Sequence, residues 1–234
     1  FLNVVAWRLP RGESLSHPGS HCPSCDTPIK AYDNVPALSW LALGGRCRSC
    51  GGRISARYPI VEAATGLLWA AVVIARWGDV GAIALGIGLV TFLVPIALID
   101  LDHRLIPNKL TLPAAVLALV AIVALDRDFL VEALIGGAGG FAFFFLAALA
   151  YPRGMGMGDV KLAGVMGLYL GRAVAPAIFI ALIAGVLAGV AIIARKGAAE
   201  GRRTAVPFGP FLALGAVIAL FAGDALVDAY LATF

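Results

Sequence analysis

Long apolar runs separated by short polar segments dominate this chain. A helix that spans the hydrocarbon core of a bilayer needs about 20 predominantly apolar residues, because that core is about 30 Å thick. The pattern predicts six helices of spanning length and a shorter seventh helix. The six cover Tyr58–Trp77, Val80–Ile99, Leu110–Leu125, Phe129–Tyr151, Ala173–Ala194 and Val206–Leu231, and the seventh covers Val160–Gly171.

The first seven residues, FLNVVAW, are also apolar but are too few to cross a membrane. They lack the basic segment and the cleavage site of a signal peptide. We therefore expect residues 1–7 to be the end of a first transmembrane helix, which brings the expected total to about eight helices. Residues 8–57 then form a small polar loop domain, and residues 58–234 form the helical core.

Composition favours an all-α polytopic membrane protein. Of the 234 residues, 61% are hydrophobic and 14% are charged, whereas about a quarter of the residues in a soluble domain are charged. The mean hydropathy is +0.93. Too little polar surface remains to cover an apolar core of this size in water, and the 28 glycines suit close packing of helices in lipid.

The basic residues predict the orientation of the helices, because cytoplasmic loops of membrane proteins are enriched in Lys and Arg. When the loop 8–57 is placed in the cytoplasm and the sides alternate, 15 of the 18 basic residues fall inside. The inside group is Arg8, Arg11, Lys30, Arg46, Arg48, Arg53, Arg57, Arg104, Lys109, Arg153, Lys161, Arg195, Lys196, Arg202 and Arg203. The outside group is Arg76, Arg127 and Arg172. The net charge of +4 therefore reflects topology, and the sequence shows no basic face of the kind that binds nucleic acid.

Four cysteines in the loop domain follow the pattern C-x2-C-x21-C-x2-C. This spacing is close to that of zinc ribbons, in which four thiolates hold one Zn²⁺ at about 2.3 Å. The predicted ligands are Cys22, Cys25, Cys47 and Cys50. A structural zinc ion makes physical sense, because a loop of about 50 residues with few apolar side chains builds little core.

Two disulfides or redox-active cysteine pairs are the alternatives to a zinc site. Disulfides fit poorly in a cytoplasmic loop, because that compartment keeps thiols reduced. A thioredoxin-like motif would need a βαβ context, which the pattern does not show. His17 and His21 flank the first cysteine pair, and we expect them to be loop residues rather than ligands.

Asp100 and Asp159 each lie where an apolar run meets a short polar loop. An ionisable side chain at this depth is costly, so each is a functional-site hypothesis. The alternation of loops places both on the cytoplasmic side, although 59 positions separate them. Two close carboxyl groups can share one proton and activate water, as in aspartic proteases. Such a pair titrates as a unit, so acid and base roles are not assigned to either residue.

The residues around the two aspartates fit this chemistry. Gly156 and Gly158 leave the backbone beside Asp159 open to the approach of a peptide. Pro107 and Asn108 predict a turn that ends one element and starts the next helix. We therefore treat these four residues as supporting members of the candidate site.

Several motifs together resemble the bacterial type 4 prepilin peptidases, which are bifunctional leader peptidases and N-methyltransferases of the GxGD aspartic protease class. The motifs are FLNVVAWRLPRGES, the CPSC and CRSC pairs, SARYPIVEAATGLLW, IDLDHRLIPNKLTLP, GMGDVKL and VPFGPFLALG. They extend over nearly the whole chain. The four cysteines, an Asp-x5-Ile-Pro-Asn box and a Gly-x-Gly-Asp box form a very specific combination.

This resemblance implies that Asp100 and Asp159 are the catalytic aspartates, and Asp102 is a competitor that fits the spacing less well. It implies cleavage after Gly of the basic leader of type IV prepilins and pseudopilins, whose apolar helix lies in the bilayer. It also implies methylation of the new N-terminal residue, usually Phe, with S-adenosylmethionine as methyl donor. The implied location is the bacterial inner membrane, with the zinc loop and the active site on the cytoplasmic side.

The sequence does not define the residues that bind the methyl donor, because no Gly-rich nucleotide turn follows a strand. Glu62, at the start of a helix, is a candidate, and its alternative role is to anchor the loop by pairing with Arg57 or Arg8. Two alternative functions stay open. One is a peptidase without methyltransferase activity, and the other is an ion-coupled transporter in which the two aspartates bind a proton or cation.

Overall fold

The computed structural model describes residues 1–151, 154–197 and 206–233. These residues contain α-helices and short 3-10 helices and no β-strand, as the apolar runs predict. They form two compact units, Phe1–Ala71 and Val72–Phe234. Arg153, Arg202 and Arg203, which the topology prediction counts as cytoplasmic, lie outside the described residues.

The first unit consists of short helices joined by polar loops. Its helices are α1 (Leu2–Arg8), a 3-10 turn (Ala31–Asn34), α2 (Leu38–Ala42) and the greater part of α3 (Arg57–Ala75). Helix α1 covers the segment that was predicted to end a transmembrane helix. The Asn3 side-chain amide donates a hydrogen bond to the Tyr58 carbonyl oxygen at 3.2 Å, so α1 contacts the start of α3.

The second unit is a bundle of long apolar helices. They are α4 (Val80–His103), α5 (Asn108–Leu125), α6 (Leu130–Ala150), α7 (Met157–Leu170), α8 (Val174–Lys196) and α9 (Gly209–Leu231). Within the described ranges, six helical stretches are long and apolar enough to cross a membrane: Arg57–Ala75, Val80–His103, Asn108–Leu125, Arg127–Ala150, Met157–Lys196 and Gly209–Leu231.

Helices α1 and α3–α9 correspond to the eight predicted segments, and the all-α polytopic fold class is confirmed. The short seventh helix is present as α7 and begins at Met157, three residues earlier than predicted. Helices α7 and α8 form one apolar stretch of 40 residues. A break at Gly171, which has a φ of +55°, separates the two helices.

Glycine permits the contact between α6 and α7. A Cβ atom at Gly136 would overlap the carbonyl oxygen of Gly171, and a Cβ atom at Gly167 would overlap the backbone of Gly136. At Gly140 a Cβ atom would lie 2.7 Å from the carbonyl oxygen of Ala163. Small residues let helix backbones approach closely where lipid, rather than water, surrounds the bundle. Helix α7 is therefore held against α6 along its length.

Helices α5 and α7 run parallel to each other. The Tyr169 hydroxyl donates a buried hydrogen bond to the Ala114 carbonyl oxygen at 2.8 Å. Near the start of both helices, Lys161 Nζ donates to Asn108 Oδ1 at 3.1 Å. The N-terminal ends of α5 and α7 therefore lie at the same end of the bundle.

Helix α9 runs antiparallel to α4. Its first residue, Gly209, contacts Asp100 near the end of α4, and Leu220 lies beside Gly86 near the start of α4. As a result, the C-terminal end of α4 meets the N-terminal ends of α5, α7 and α9. This arrangement gathers the aspartate segments at one end of the second unit.

Ion pairs link three elements at the opposite end of the bundle. Arg172, in the turn between α7 and α8, lies 3.3 Å from Asp224 and 2.8 Å from Asp228, both on α9. Arg76 lies 3.7 Å from Asp224 and donates to the Leu220 carbonyl oxygen at 3.1 Å. The C-terminal part of α9 is therefore held by two arginines.

We expect Gly167→Ala to destabilise the bundle by about 1–3 kcal/mol, the usual cost of overpacking a close contact. The added methyl group would overlap the backbone of α6. Thermal unfolding of the purified protein in detergent measures the effect. Gly139→Ala is the matched control, because a Cβ atom there meets nothing within 4 Å. Equal melting temperatures for the two variants would contradict the glycine contact.

Candidate active site and metal centre

The four cysteine sulfurs of the first unit form one cluster. All four Sγ atoms lie within 4.8 Å of one another, and those of Cys22 and Cys50 are 3.8 Å apart. Four sulfurs placed tetrahedrally at about 2.3 Å from a zinc ion are about 3.8 Å apart. The cysteines are free, and 3.8 Å is far longer than a disulfide bond. The cluster can therefore bind one metal ion.

The two cysteine pairs have the same backbone conformation. In each pair, the residue four positions after the first cysteine donates its N–H to the carbonyl oxygen of that cysteine. These bonds run from Asp26 to Cys22 at 2.8 Å and from Gly51 to Cys47 at 2.9 Å. Asp26 and Gly51 both have a left-handed conformation, with φ of +57° and +69°. Glycine and aspartate are among the residues that tolerate this conformation, so both turns fold alike.

Hydrogen bonding favours a thiolate in this cluster. Bonds with Thr27 lower the pKa of Cys25 to about 6, so this sulfur readily takes the form that binds metal. Neither histidine belongs to the cluster of metal-binding groups. The His21 ring lies 3.7 Å from Asp26, and the His17 ring contacts a neighbouring serine.

Further contacts fix the fold around the cluster. The Trp40 indole N–H donates to the Ile54 carbonyl oxygen at 3.0 Å. Gly45 packs so closely that a Cβ atom would lie 2.7 Å from the Trp40 ring. The Arg48 guanidinium holds Asp33 through two nitrogens at 2.7 and 2.9 Å and lowers the pKa of that carboxyl group. These contacts connect the second cysteine pair to the rest of the first unit.

Glu62 reaches back to the loop from the first turns of α3. Its Oε2 accepts a hydrogen bond from the Ala37 N–H at 2.9 Å. Ala37 has a φ of +56°, an unfavourable value for a residue with a Cβ atom. The structure therefore gives Glu62 an anchoring contact, but with a backbone amide. The predicted alternative partner Arg8 instead donates to the carbonyl oxygens of Ser14 and Gly19.

Asp100 lies in the last turn of α4 with its side chain inside the bundle. The residue is 5% exposed, and its Oδ2 accepts a hydrogen bond from the Gly209 N–H at 2.8 Å. Helix α4 ends at Arg104, whose left-handed conformation directs its N–H to the Asp100 carbonyl oxygen at 2.8 Å. Asp102, the competing aspartate, is exposed. Of the two, Asp100 therefore points into the bundle.

Asp159 lies in the first turn of α7 and is partly exposed. Its N–H donates to the Gly156 carbonyl oxygen at 3.1 Å. A Cβ atom at Gly158 would lie 2.9 Å from Ile106 Cβ, so this glycine lets the two aspartate boxes pack together. The Asp159 carboxyl group lies within electrostatic range of Asp100. The structure thus brings together two aspartates that are 59 positions apart in the sequence.

The Ile-Pro-Asn box links α5 to α7. Pro107 precedes α5 in an extended conformation, and Asn108 is the first residue of the helix, as the turn prediction requires. The Asn108 side chain accepts the hydrogen bond from Lys161, which lies two residues after Asp159. Gly209 is a member of this site that the sequence interpretation did not assign. A glycine directly before a proline at a helix start was the available signal.

The fold and this pair of sites define a polytopic helical membrane protein that carries two aspartates at one end of its bundle and a cluster of four cysteines able to bind a metal ion. Comparisons with known proteins give the family. The family model described as Bacterial Peptidase A24 N-terminal domain matches residues 1–76. The model described as Type IV leader peptidase family matches residues 87–193.

Three relatives, each named prepilin leader peptidase/N-methyltransferase, illustrate the similarity. The protein from Aeromonas hydrophila is 37% identical over 100% of this chain and 90% of its own length. The protein from Pseudomonas aeruginosa is 36% identical over 99% of this chain and 89% of its own length. The protein from Myxococcus xanthus is 39% identical over 86% of this chain, and the match spans 62% of that relative. No solved structure matches the chain. The chain belongs to the type IV leader peptidase family.

We expect the purified protein to hold about one divalent ion per chain, because the four thiolates form one closed site. Cys47→Ser should reduce the metal content to a small fraction of this value, measured by elemental analysis after dialysis. Ser49→Ala, in the same cysteine pair, is the matched control and should retain the ion. Equal metal contents in the two variants would exclude the tetracysteine site.

Proposed function

We propose that this chain is an aspartic endopeptidase that cleaves the basic leader of type IV prepilins and pseudopilins after Gly, and then methylates the new N-terminus. The observation that carries the proposal is the meeting of Asp100 and Asp159 at one end of an apolar bundle. Membership of the type IV leader peptidase family and the names of the relatives support prepilin cleavage and N-methylation.

In this proposal the two aspartates share one proton and bind the attacking water between them. The ionised carboxylate accepts a proton from water, while the protonated carboxyl group donates a hydrogen bond to the scissile carbonyl oxygen. The proton taken from water then passes to the leaving amine. Asp100 is buried and Asp159 is partly exposed, so substrate would approach from the side of Asp159.

The position of the pair suits a substrate whose apolar helix stays in the bilayer. The aspartates lie at the ends of helices rather than at their centres, so the reacting bond need not enter the middle of the membrane. The distribution of basic residues supports a cytoplasmic location for this end and for the loop domain 8–57 in the inner membrane. Residues 58–234 then form the protease core, and exposed apolar side chains of its helices face lipid.

The ion held by the four cysteines is proposed to be structural Zn²⁺. Thiolate ligands favour zinc over hard ions such as Mg²⁺ and Ca²⁺, which prefer oxygen ligands. A site with four sulfur ligands also leaves no open position for substrate. The distance of 3.8 Å between Cys22 and Cys50 sulfurs fits such a site. The ion would stabilise a unit that has few buried apolar side chains.

S-adenosylmethionine is the proposed methyl donor, and when bound it supplies the methyl group to the new N-terminal amine. The first unit contains a cavity of about 1130 Å³, which is large enough for a molecule of this size. Trp40 and the carboxylates Glu13 and Glu62 are among its lining residues. Glu62 is the candidate for holding the donor, since its bond to Ala37 uses only one carboxylate oxygen.

For the peptidase step, we expect Asp100→Asn and Asp159→Asn to reduce cleavage by about a thousandfold or more, because each removes half of a unit that acts together. Both substitutions keep the size of the side chain. Cleavage of a prepilin-type peptide helix in liposomes measures the effect, and Asp102→Asn is the matched control that should remain active. A dead Asp102→Asn variant beside an active Asp100→Asn variant would mean that the first aspartate is misassigned.

For the methylation step, we expect Glu62→Gln to lower methyl transfer at least about tenfold, the effect of losing one charged contact. The amide oxygen can still accept the bond from Ala37, so metal content and prepilin cleavage should not change. Transfer of a labelled methyl group to a pre-cleaved peptide measures this activity alone. Normal methyl transfer by Glu62→Gln, combined with loss of metal in Glu62→Ala, would show that Glu62 acts only as the loop anchor.

A further inference from the structure

We propose that Gly209 is a positioning residue for the peptidase reaction, whose backbone N–H holds one oxygen of Asp100 in place for catalysis. The inference rests on the proposed aspartic peptidase function. It assigns a role to the VPFGPF segment, which contributes no catalytic side chain to the paired aspartates. The role depends on a backbone group and on the absence of a side chain.

The hydrogen bond between Gly209 and Asp100 is buried and connects α9 with α4. The N–H of Gly209 lies 2.8 Å from Asp100 Oδ2, and Asp100 is 5% exposed. Burying a carboxylate without a partner is costly, so this donor is needed to keep the side chain inside. The first N–H groups of a helix have no partner within the helix, and the helix start carries partial positive charge. Gly209, the first residue of α9, therefore offers a suitable donor.

The sequence around Gly209 leaves one donor for Asp100 in the first turn of α9. Pro210 has no N–H, and the Phe211 N–H is already bonded to the Phe208 carbonyl oxygen at 3.0 Å. The Phe208 ring packs against the buried Phe144 ring, with centroids 5.8 Å apart, which fixes the start of the helix. A single donor engages Asp100 Oδ2 and leaves Oδ1 to the catalytic water.

The space at Gly209 admits no side chain. A Cβ atom there would lie 2.8 Å from Asp100 Oδ2, 3.1 Å from its Cγ and 3.2 Å from its Cβ. Contacts this short force the carboxylate or the start of α9 to move. Gly209 does not have a left-handed φ, so its backbone conformation does not require glycine. The close approach of the Asp100 side chain does.

The bond also makes the two aspartates unequal. Because Oδ2 of Asp100 accepts an N–H, the shared proton of the pair is favoured on Oδ1 of Asp100 or on Asp159 rather than on that atom. Gly209 therefore limits the arrangements of the proton as well as the rotation of the carboxylate about its Cβ–Cγ bond.

The test compares Gly209→Ala with Gly223→Ala in peptide cleavage. Both add one methyl group to α9, but the Cβ atom at Gly223 would meet Ala173 and Ala219 at the opposite end of the helix. We expect Gly209→Ala to lower kcat by about 10- to 100-fold, the range for one hydrogen bond to a charged group. Its KM should stay within about twofold, as expected when an interaction of the transition state is lost. Gly223→Ala should lose thermal stability and keep kcat.

Several outcomes separate the positioning role from a structural one. Methyl transfer to a pre-cleaved peptide reports on folding and should be normal in Gly209→Ala. If Gly209→Ala does not fold, an ester in place of the Phe208–Gly209 amide removes the N–H without adding an atom near Asp100, and the same fall in kcat is expected. Wild-type kcat in a folded Gly209→Ala or ester variant, or an equal fall in Gly223→Ala, would overturn the proposal. Failure of the wild type to cleave any prepilin-type helix would instead overturn the proposed function.

Discussion

A carboxylate buried in an apolar helix bundle must be given a hydrogen-bond donor, and this constraint shapes the second unit. Asp100 is 5% exposed and lies on α4 among residues such as Ile96 and Ile99 that are fully buried. The internal N–H groups of neighbouring helices are already bonded, so they cannot supply this donor. The start of another helix has N–H groups that lack a partner within their own helix. Helix α9 begins beside the end of α4 and offers the Gly209 N–H to Asp100, and the two helices run antiparallel.

Close backbone approach recurs at the candidate active site and elsewhere in the bundle. Gly158 packs on Ile106 and Gly209 on Asp100, while Gly136 and Gly167 bring α6 against α7. In lipid there is little hydrophobic drive between helices, so association depends on tight packing and on hydrogen bonds across the contact. Large side chains would separate the helices by several ångströms. The positions of the aspartates thus depend on the residues that have no side chain.

The sequence predicted the helices well because each of them is a long apolar run, and hydrophobicity is a local property. The boundaries are less exact: α4 continues past Ile99 to His103, and α7 begins at Met157 rather than Val160. In both places a helix carries polar residues into its last or first turn, so the end of the apolar run and the end of the helix differ. Such ends are set by capping, as at Arg104, and not by hydrophobicity.

The clustering of the four cysteines was predictable, because the spacing of the two pairs along the chain is that of a zinc ribbon. Of the two matching turns, the one at Gly51 could be predicted, because glycine often adopts a left-handed conformation. The turn at Asp26 could not, because aspartate adopts this conformation much less often. The contact between Gly209 and Asp100 joins residues 109 positions apart. The residues around Gly209 give no sign of Asp100, and those around Asp100 give no sign of Gly209. Long-range polar contacts of this kind follow from the packing of helices, which one sequence does not encode in a periodic signal.

Helix α9 is held at both ends, and this explains how a backbone group can be placed reliably. Its first residue meets Asp100, while Asp224 and Asp228 pair with Arg172 and Arg76 at the other end. Each pair is partly exposed, with side chains 38–61% accessible, and such pairs contribute little to stability. Their effect is on position. Because a helix rises 1.5 Å per residue, Asp224 lies about 22 Å along the axis from Gly209. A slide of the helix along this axis would move the Gly209 N–H relative to Asp100, so fixing the distal end restricts the donor at the proximal end.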